Sequence, residues 1–231
     1  MIARPGAVMM FFCLIVTLSF PPASRADSLL LLPEDVQAKL SPRWEAKLEV
    51  ESKYRNDMSE YYDLEFMPWV AYRFTDWFKL GMGWRELYSR KAGSHNWDVE
   101  HRPLTDFMFS KKLDAWKVED RIRVEHRDFE HTKNYYRYRN RLRLTAPWAW
   151  TRRAINPWVA WETYYEDCLD RDSDRWNRNR YFVGLGAKLS KSVKVGCYHY
   201  WERVLKSGVW KSNNELGFDI SLMFDFSRAS K

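Results

Sequence analysis

Glycine, proline and cysteine are scarce in this chain. Its 231 residues include nine Gly, nine Pro and three Cys. So little Gly and Pro excludes a collagen-like or low-complexity chain, and the lack of a CxxC pair or Cys/His cluster argues against a zinc site or redox motif. We therefore expect no metal and no cofactor. Two cysteines lie beyond the N-terminal region, Cys168 in a predicted loop and Cys197 in a predicted strand, and we expect both to be free thiols although one disulfide is formally possible.

Long apolar runs are absent except for one near the N-terminus. Residues 7–20 are apolar but too few for a stable membrane-spanning helix. The run follows Arg4, and Ser24 and Ala26 place small residues at the −3 and −1 positions of a cleavage site. This pattern predicts a signal peptide over residues 1–26 and an exported mature chain; an uncleaved anchor helix is the alternative.

Charged and aromatic residues are abundant instead, at 30% and 17% of the chain. From Arg43 onward they alternate with a period of two, which is the period of a β-strand. Ten such segments can be counted. They cover 43–51, 62–74, 78–85, 97–109, 116–125, 136–144, 158–165, 180–189, 193–202 and 215–226.

Many of these segments reach about ten residues, which exceeds the usual strand of soluble sheets and matches the 9–11 tilted residues that cross a bilayer. Short connections at one end and longer polar ones at the other predict an all-β, antiparallel transmembrane β-barrel of about ten strands, with short periplasmic turns and longer outer loops. Aromatic residues near the strand ends fit an interfacial girdle. They are Trp44, Tyr54, Trp77, Trp97, Trp116, Trp148 and Trp176.

The predicted location is the outer membrane of a Gram-negative bacterium. In this interpretation residues 27–42 form a periplasmic leader, residues 43–226 the barrel and residues 227–231 a tail. The leader either forms a short helix at the periplasmic mouth or is simply extended. Expected partners are outer-membrane lipid and, during assembly, the barrel-insertion machinery; we expect a monomer that binds no nucleic acid. A soluble periplasmic β-domain that binds a partner is the alternative.

The last segment ends in a polar, small, aromatic and aromatic pattern. Asp219, Ser221, Phe224 and Phe226 form this pattern, with Ser221 where glycine is usual. Barrels of this compartment commonly end in such a strand, which their insertion machinery recognises. These four residues are therefore a predicted insertion signal.

Residues 134–144 and 161–201 resemble a bacterial family of unknown function numbered 2490. An Arg-alternating strand, a strand with a glutamate, and an Asn-Arg strand leading into Gly-x-Gly carry the resemblance, which is clearest over 116–226. Here these are Arg137, Arg139, Arg141, Arg143, Glu162, Asn179, Arg180, Gly184 and Gly186. Trp161 departs from the pattern, because asparagine often precedes the glutamate. The resemblance implies an outer-membrane barrel-like fold and no established activity.

If the charged faces point into the barrel, they must be paired, because buried unpaired charges are costly. The sequence predicts a basic wall facing an acidic wall across the lumen, and Glu162 opposite Arg180. The basic wall comprises Arg121, Arg123, Arg137, Arg139, Arg141 and Arg143. The acidic wall comprises Glu45, Glu49, Glu51, Asp63 and Glu65. Two interpretations remain open: a salt-bridged plug with a structural role, or a narrow porin-like passage for small ionic solutes.

Catalytic residues are not indicated. Ser94 and His95, with Asp98 nearby, are the one adjacent nucleophile–histidine pair. Adjacent residues of an extended chain point to opposite sides, so their mutual hydrogen bond is poor. We therefore expect no enzyme; an outer-membrane lipid hydrolase using Ser94 and His95 is the alternative.

Overall fold

The computed structural model describes residues 29–55, 59–91, 93–130, 133–146, 155–167, 176–206 and 208–227. The predicted signal peptide, Trp148, Cys168 and the tail from residue 228 lie outside the described residues. Within the described ranges, no helix has the length and apolar character needed to cross a membrane.

Within the described residues the chain folds into eleven β-strands. They are β1 (Leu29–Lys39), β2 (Trp44–Arg55), β3 (Glu60–Arg73), β4 (Phe78–Arg90), β5 (Trp97–Leu113), β6 (Trp116–Phe129), β7 (Tyr135–Thr145), β8 (Asn156–Asp167), β9 (Trp176–Lys188), β10 (Val193–Lys206) and β11 (Val209–Asp225). Strands β2 to β11 correspond to the ten predicted segments. Most of these strands are longer than the predicted segments, because backbone pairing with the neighbouring strands continues into residues that were expected to form connections.

The strands form a closed barrel in which consecutive strands pair antiparallel. The barrel closes through β1, which pairs antiparallel with β2 and parallel with β11. A closed up-and-down sheet with an odd number of strands must contain one such parallel pair, because its first and last strands run in the same direction. The antiparallel barrel predicted from the sequence is confirmed in all its other pairs.

Strand β1 corrects two expectations, the count of ten strands and the leader over residues 27–42. The sequence hides β1 because four consecutive leucines obscure any alternation and Pro33 lacks a backbone N–H. The ladder with β11 skips Leu32 and Pro33, whereas the ladder with β2 continues through Pro33 opposite Glu51. The barrel thus begins at Leu29, before the predicted start at Arg43.

The two ends of the barrel are defined by their connections. The turn end carries residues 40–43, 74–77, 114–115, 146–155 and 189–192. The loop end carries residues 56–59, 91–96, 130–134, 168–175 and 207–208. Only two residues join β10 to β11, whereas the predicted segments 193–202 and 215–226 left twelve residues between them, because both strands continue further.

Side chains alternate between the two faces of the barrel wall in the predicted sense. On β3 the side chains of Phe66 and Val70 are exposed on the outer face, whereas Asp63, Glu65 and Met67 are buried inside. Adjacent strands repeat this arrangement, with apolar residues outside and charged residues inside. A soluble barrel places its apolar face inward, so this wall is inverted relative to a soluble one.

Candidate functional site

A cavity of about 900 Å³ occupies the lumen, and all eleven strands contribute to its lining. Fourteen Lys and Arg side chains line it, compared with eight Asp and Glu side chains. Both predicted walls border it. The lumen is therefore a charged chamber with an excess of positive charge.

A second cavity, of about 810 Å³, lies at the turn end, where it is lined mainly by strand ends. Seven lysines contribute to its lining. Two of them, Lys188 and Lys194, are direct cross-strand partners of β9 and β10. Like charges placed directly opposite each other are destabilising. Both cavities share Lys117, Arg121 and Lys194 among other lining residues, so basic side chains continue from the centre of the lumen to the turn end.

The most deeply buried charges belong to β5, β6 and β7. The Arg123 guanidinium donates two hydrogen bonds to Asp106, from Nε to Oδ1 at 2.7 Å and from Nη2 to Oδ2 at 2.8 Å. The side chain of Glu125 is fully buried, and it accepts hydrogen bonds from Arg137 Nε at 2.6 Å and Arg139 Nη1 at 2.9 Å. Such bidentate and shared contacts satisfy charges that would otherwise be too costly to bury.

Glu162 on β8 accepts hydrogen bonds from three neighbouring side chains. Its Oε1 atom accepts hydrogen bonds from Arg139 Nη2 at 2.9 Å and Arg121 Nη2 at 3.1 Å, and its Oε2 atom accepts one from the Tyr164 hydroxyl at 2.7 Å. The predicted register is present, because Glu162 and Arg180 are Cα partners of β8 and β9. Arg180, however, donates its Nε hydrogen to Glu202 at 2.7 Å. Glu162 already has three donors, so Arg180 turns toward β10.

The acidic wall on β2 and β3 is neutralised by cations nearby. Lys53 contacts three of its carboxylates, those of Glu51 at 3.1 Å, Asp63 at 3.0 Å and Glu65. The remaining two have their own partners. Glu49 contacts Lys47 at 2.6 Å and Arg85 at 3.1 Å, and Glu45 contacts Arg73 at 2.6 Å and Lys79 at 2.8 Å.

The plug interpretation expected the two walls to form ion pairs with each other across the lumen. In the described residues they do not. The ion pairs of each wall stay within one strand or reach a strand one or two places away, where the opposite charges lie within direct reach. Within the described residues, this local pairing gives a carboxylate partner to four of the six predicted basic-wall arginines, namely Arg121, Arg123, Arg137 and Arg139, although the Nε atoms of Arg121 and Arg139 are buried without a hydrogen-bond partner.

Arg141 and Arg143 are the exceptions in the described part of the chain: neither contacts a carboxylate within 4.0 Å, and the Nε atom of each is buried without a hydrogen-bond partner. Aromatic rings support them instead. The Arg143 guanidinium lies 4.0 Å from the ring centroid of Trp158, and that of Arg141 lies 4.7 Å from the ring centroid of Phe182. Both line the central cavity.

Trp158 is held in place by β9. It packs in a buried cluster with Phe182 and Tyr200, and its indole lies over Gly184. A Cβ atom at Gly184 would come within 2.5 Å of the indole Cε2, so only glycine leaves room for this ring. The Gly184 of the sequence motif therefore has a packing role beneath the arginines.

The four residues of the predicted insertion signal divide between the two faces of β11. Asp219 and Ser221 line the cavity, and the Ser221 hydroxyl contacts Asp35 on β1. Phe224 and Phe226 are exposed on the outside, with their rings stacked at 6.2 Å.

Ser94 and His95 lie in the connection between β4 and β5. The Ser94 Oγ accepts a hydrogen bond from the Asn96 backbone N–H at 3.1 Å. No hydrogen bond joins Ser94 to His95 in the structure as described.

Among the described residues, no group of three or more His, Cys, Asp and Glu side chains is arranged to hold a metal ion. Cys197 carries a free thiol.

Sequence reasoning missed several of the residues that complete this site. Asp106, Glu125 and Arg85 were not assigned to either wall, although their parity along the strand places them with the charged face. Trp158 and Phe182 share the parity of Glu162 and Arg180, and this is the signal that could have identified them as luminal.

The comparison with family models matches residues 34–213 to the family described as "Protein of unknown function (DUF2490)". The chain belongs to the DUF2490 family. The match extends from β1 into β11 and so includes most of the charged lumen of this DUF2490 protein. The resemblance found in the sequence is thereby confirmed. A search of curated proteins finds no match to the chain.

Proposed function

We propose that this DUF2490 protein is an outer-membrane β-barrel that forms a narrow, anion-preferring passage. In this proposal residues 1–26 direct export, and the chain acts as a monomer without catalysis. The barrel-insertion machinery recognises its last strand. The positive excess of the luminal lining carries the proposal.

The outer face supports a bilayer location. Exposed aromatic side chains occur near both ends of the strands, as in an interfacial girdle. At the turn end Trp77 stacks on Phe109 with ring centroids 6.2 Å apart, and Trp44 contacts Tyr72 at 5.0 Å. At the loop end Trp97 lies 5.7 Å from Tyr61. Between these bands the outward side chains are mostly apolar.

The luminal charges support anion preference. Fourteen basic against eight acidic side chains around a narrow polar cavity create a positive potential, which concentrates anions and repels cations. Because Arg141 and Arg143 contact no carboxylate within the described chain, their charge acts on the cavity itself. The passage would be narrow, since the arginine and lysine side chains occupy much of a small barrel.

A structural, non-conducting barrel is the second candidate, and the ion pairs near the loop end favour it. Glu100 is buried there and contacts both Arg102 and Arg127. The buried Glu166 accepts a hydrogen bond from Asn177 Nδ2 at 2.6 Å. Cross-linked side chains of this kind would close the lumen at one end.

Planar-bilayer recordings on the refolded mature chain decide between the candidates. We expect small discrete conductance steps, with a reversal potential in a KCl gradient that indicates chloride preference. Arg141→Gln should lower this preference because it removes a luminal charge that no carboxylate of the described chain contacts. Arg139→Ala should also lower it, with the added loss of two buried carboxylate contacts.

Arg203→Gln is the matched control. Arg203 lies on the outer face, where its guanidinium is 5.2 Å from the Trp210 ring, so the same change of charge occurs outside the lumen. The control should retain wild-type selectivity. A barrel that inserts without passing current would favour the structural candidate, and failure to insert would restore the soluble β-domain.

A further inference from the structure

We propose that Arg141 and Arg143 form a binding site for a phosphate group in the lumen. The site rests on the cation–aromatic contacts and on the absence of a carboxylate partner among the residues that the structure describes, and it does not require the barrel to conduct. It adds a ligand class to the positive chamber described above.

The register of the arginines indicates that an anion belongs here. Arg141 is the direct cross-strand partner of Arg121, and on the next inward-facing pair Arg139 is the partner of Arg123. Like charges opposite each other are destabilising unless counter-charges separate them. Arg121, Arg123 and Arg139 each contact a carboxylate, whereas Arg141 has none in the described chain. It is the surplus cation of this group.

The guanidinium groups are pre-positioned. Arg143 lies 4.0 Å from the Trp158 ring centroid, and Trp158 is itself buried against Gly184. Arg141 lies 4.7 Å from Phe182 and 5.8 Å from Trp158. Because stacking on aromatic rings fixes the planes of both guanidiniums while leaving N–H groups for a ligand, binding requires little further ordering.

A phosphate group suits this pair better than a carboxylate does. A single guanidinium fork already satisfies the two oxygens of a carboxylate, whereas a phosphate group offers more acceptor oxygens and about two negative charges at neutral pH. Two arginines at alternate positions on one strand face can share such a group. Lys117 and Lys194 line the same cavity and extend the positive charge toward the turn end.

Four acidic side chains line the cavity near these cations, and among the described residues none lies within ion-pair distance of Arg141 or Arg143. Glu162 is the cross-strand partner of Arg141 on β8, but its oxygens accept hydrogen bonds from Arg121, Arg139 and Tyr164. Glu119 is the cross-strand partner of Arg143 but contacts Lys117 at 2.6 Å. Asp219 lies beside Gly196, and Asp35 contacts Ser221. These carboxylates balance part of the positive charge of the lumen, and the guanidinium groups of Arg141 and Arg143 stay available to a ligand.

Isothermal titration calorimetry on the refolded mature barrel in detergent tests the site. The probes are inorganic phosphate and glycerol phosphate, with acetate as a carboxylate comparison. We expect saturable binding of phosphate with one ligand per chain, tighter than that of acetate. Arg143→Gln and Arg141→Gln should each weaken it by about tenfold or more, the loss of a charged hydrogen bond.

Controls separate binding from folding and from conduction. Arg203→Gln removes one positive charge outside the lumen and should bind phosphate as the wild type does, and heat-modifiable electrophoretic mobility checks that every variant is folded. Tighter binding of glycerol phosphate would identify an organic phosphate as the ligand, and equal binding would identify the phosphate group alone; both support the site. No saturable phosphate binding, or unchanged binding in both arginine variants, overturns it.

The bilayer recordings test the proposed passage independently of the phosphate titration. A barrel that conducts anions without binding phosphate would overturn the site and leave the proposed passage. A barrel that binds phosphate without conducting would overturn the passage and leave the site.

Discussion

Arg121 and Arg141 face each other directly across β6 and β7 on the inner wall, although both side chains carry a positive charge. Within the described chain only Arg121 of the two contacts a carboxylate, that of Glu162 at 3.1 Å. The contrast does not follow from register, because Glu162 is the direct cross-strand partner of Arg141; its oxygens instead accept hydrogen bonds from Arg121, Arg139 and Tyr164. Replacing one arginine or the other should therefore have different consequences.

Arg141→Gln should leave the free energy of unfolding unchanged or raise it, because it removes a like-charge contact and leaves no carboxylate unpaired. Arg121→Gln should lower stability slightly, by about 1 kcal/mol, because Glu162 loses one of three donors. Urea titration of the barrel refolded in phospholipid vesicles measures both values. A larger loss in Arg141→Gln than in Arg121→Gln would contradict this assignment.

Asp106→Asn should destabilise the barrel strongly. Arg123 is 2% exposed, and Asp106 is the residue that accepts its two hydrogen bonds. Arg123 would keep only a long contact with Glu125 at 3.9 Å, and removing the close partner of a buried ion pair costs about 3–5 kcal/mol. Urea titration should show this loss, whereas Glu119→Gln, which alters the much more exposed pair with Lys117, should cost no more than about 1 kcal/mol. Equal costs would argue against a buried luminal network.

Gly184→Ala should displace the Trp158 indole and lower stability by about 1–3 kcal/mol, the cost of overpacking. The matched control is Gly186→Ala two residues along the same strand, where no atom lies within 4 Å of an added Cβ. The two variants can be compared by urea titration and by phosphate titration, since displacement of Trp158 should also disturb Arg143. Similar behaviour of both variants would be inconsistent with this packing.

The parallel closure of the barrel can be tested by cross-linking. Val36 on β1 and Leu222 on β11 are register partners, and both are exposed on the outer face. A Val36→Cys, Leu222→Cys variant should form a disulfide on mild oxidation, seen as a mobility shift that reductant reverses. The out-of-register pair Val36→Cys, Phe218→Cys should not cross-link. Without the first disulfide, β1 would not be a barrel strand.

Asp120 is a carboxylate on the mostly apolar outer face. Its cross-strand partners are Phe109 and Leu142, and it accepts a hydrogen bond from Asn140 Nδ2 at 2.7 Å. In the proposed bilayer location Asp120 would face lipid, where a charge is costly, so Asp120→Leu should preserve or raise stability in vesicles, by up to about 1 kcal/mol. A loss as large as that of Asp106→Asn would instead place Asp120 in a polar environment.

The strands and their facing could be predicted because strand alternation is local. Phe66 and Glu65 differ in polarity, and a period of two sends them to opposite faces whatever the rest of the chain does. The same parity placed the Arg137–Arg143 series and Glu162 inside. Trp158 has the same parity as Glu162, so its luminal position could also have been predicted, but only charged residues were assigned to the lumen.

The amino-acid sequence by itself determined an all-β barrel with charges inside, and it placed Glu162 in register with Arg180. Only the tertiary structure decided that β1 closes the barrel, because Leu29–Leu32 and Pro33 carry no strand pattern and pairing with β11 depends on closure of the whole sheet. It also decided that Arg180 binds Glu202 and that, within the described residues, Arg141 and Arg143 contact no carboxylate. The partner of each charge depends on how far its side chain reaches across the sheet and on which other side chains compete for the same carboxylate. Strand alternation in the sequence predicts neither.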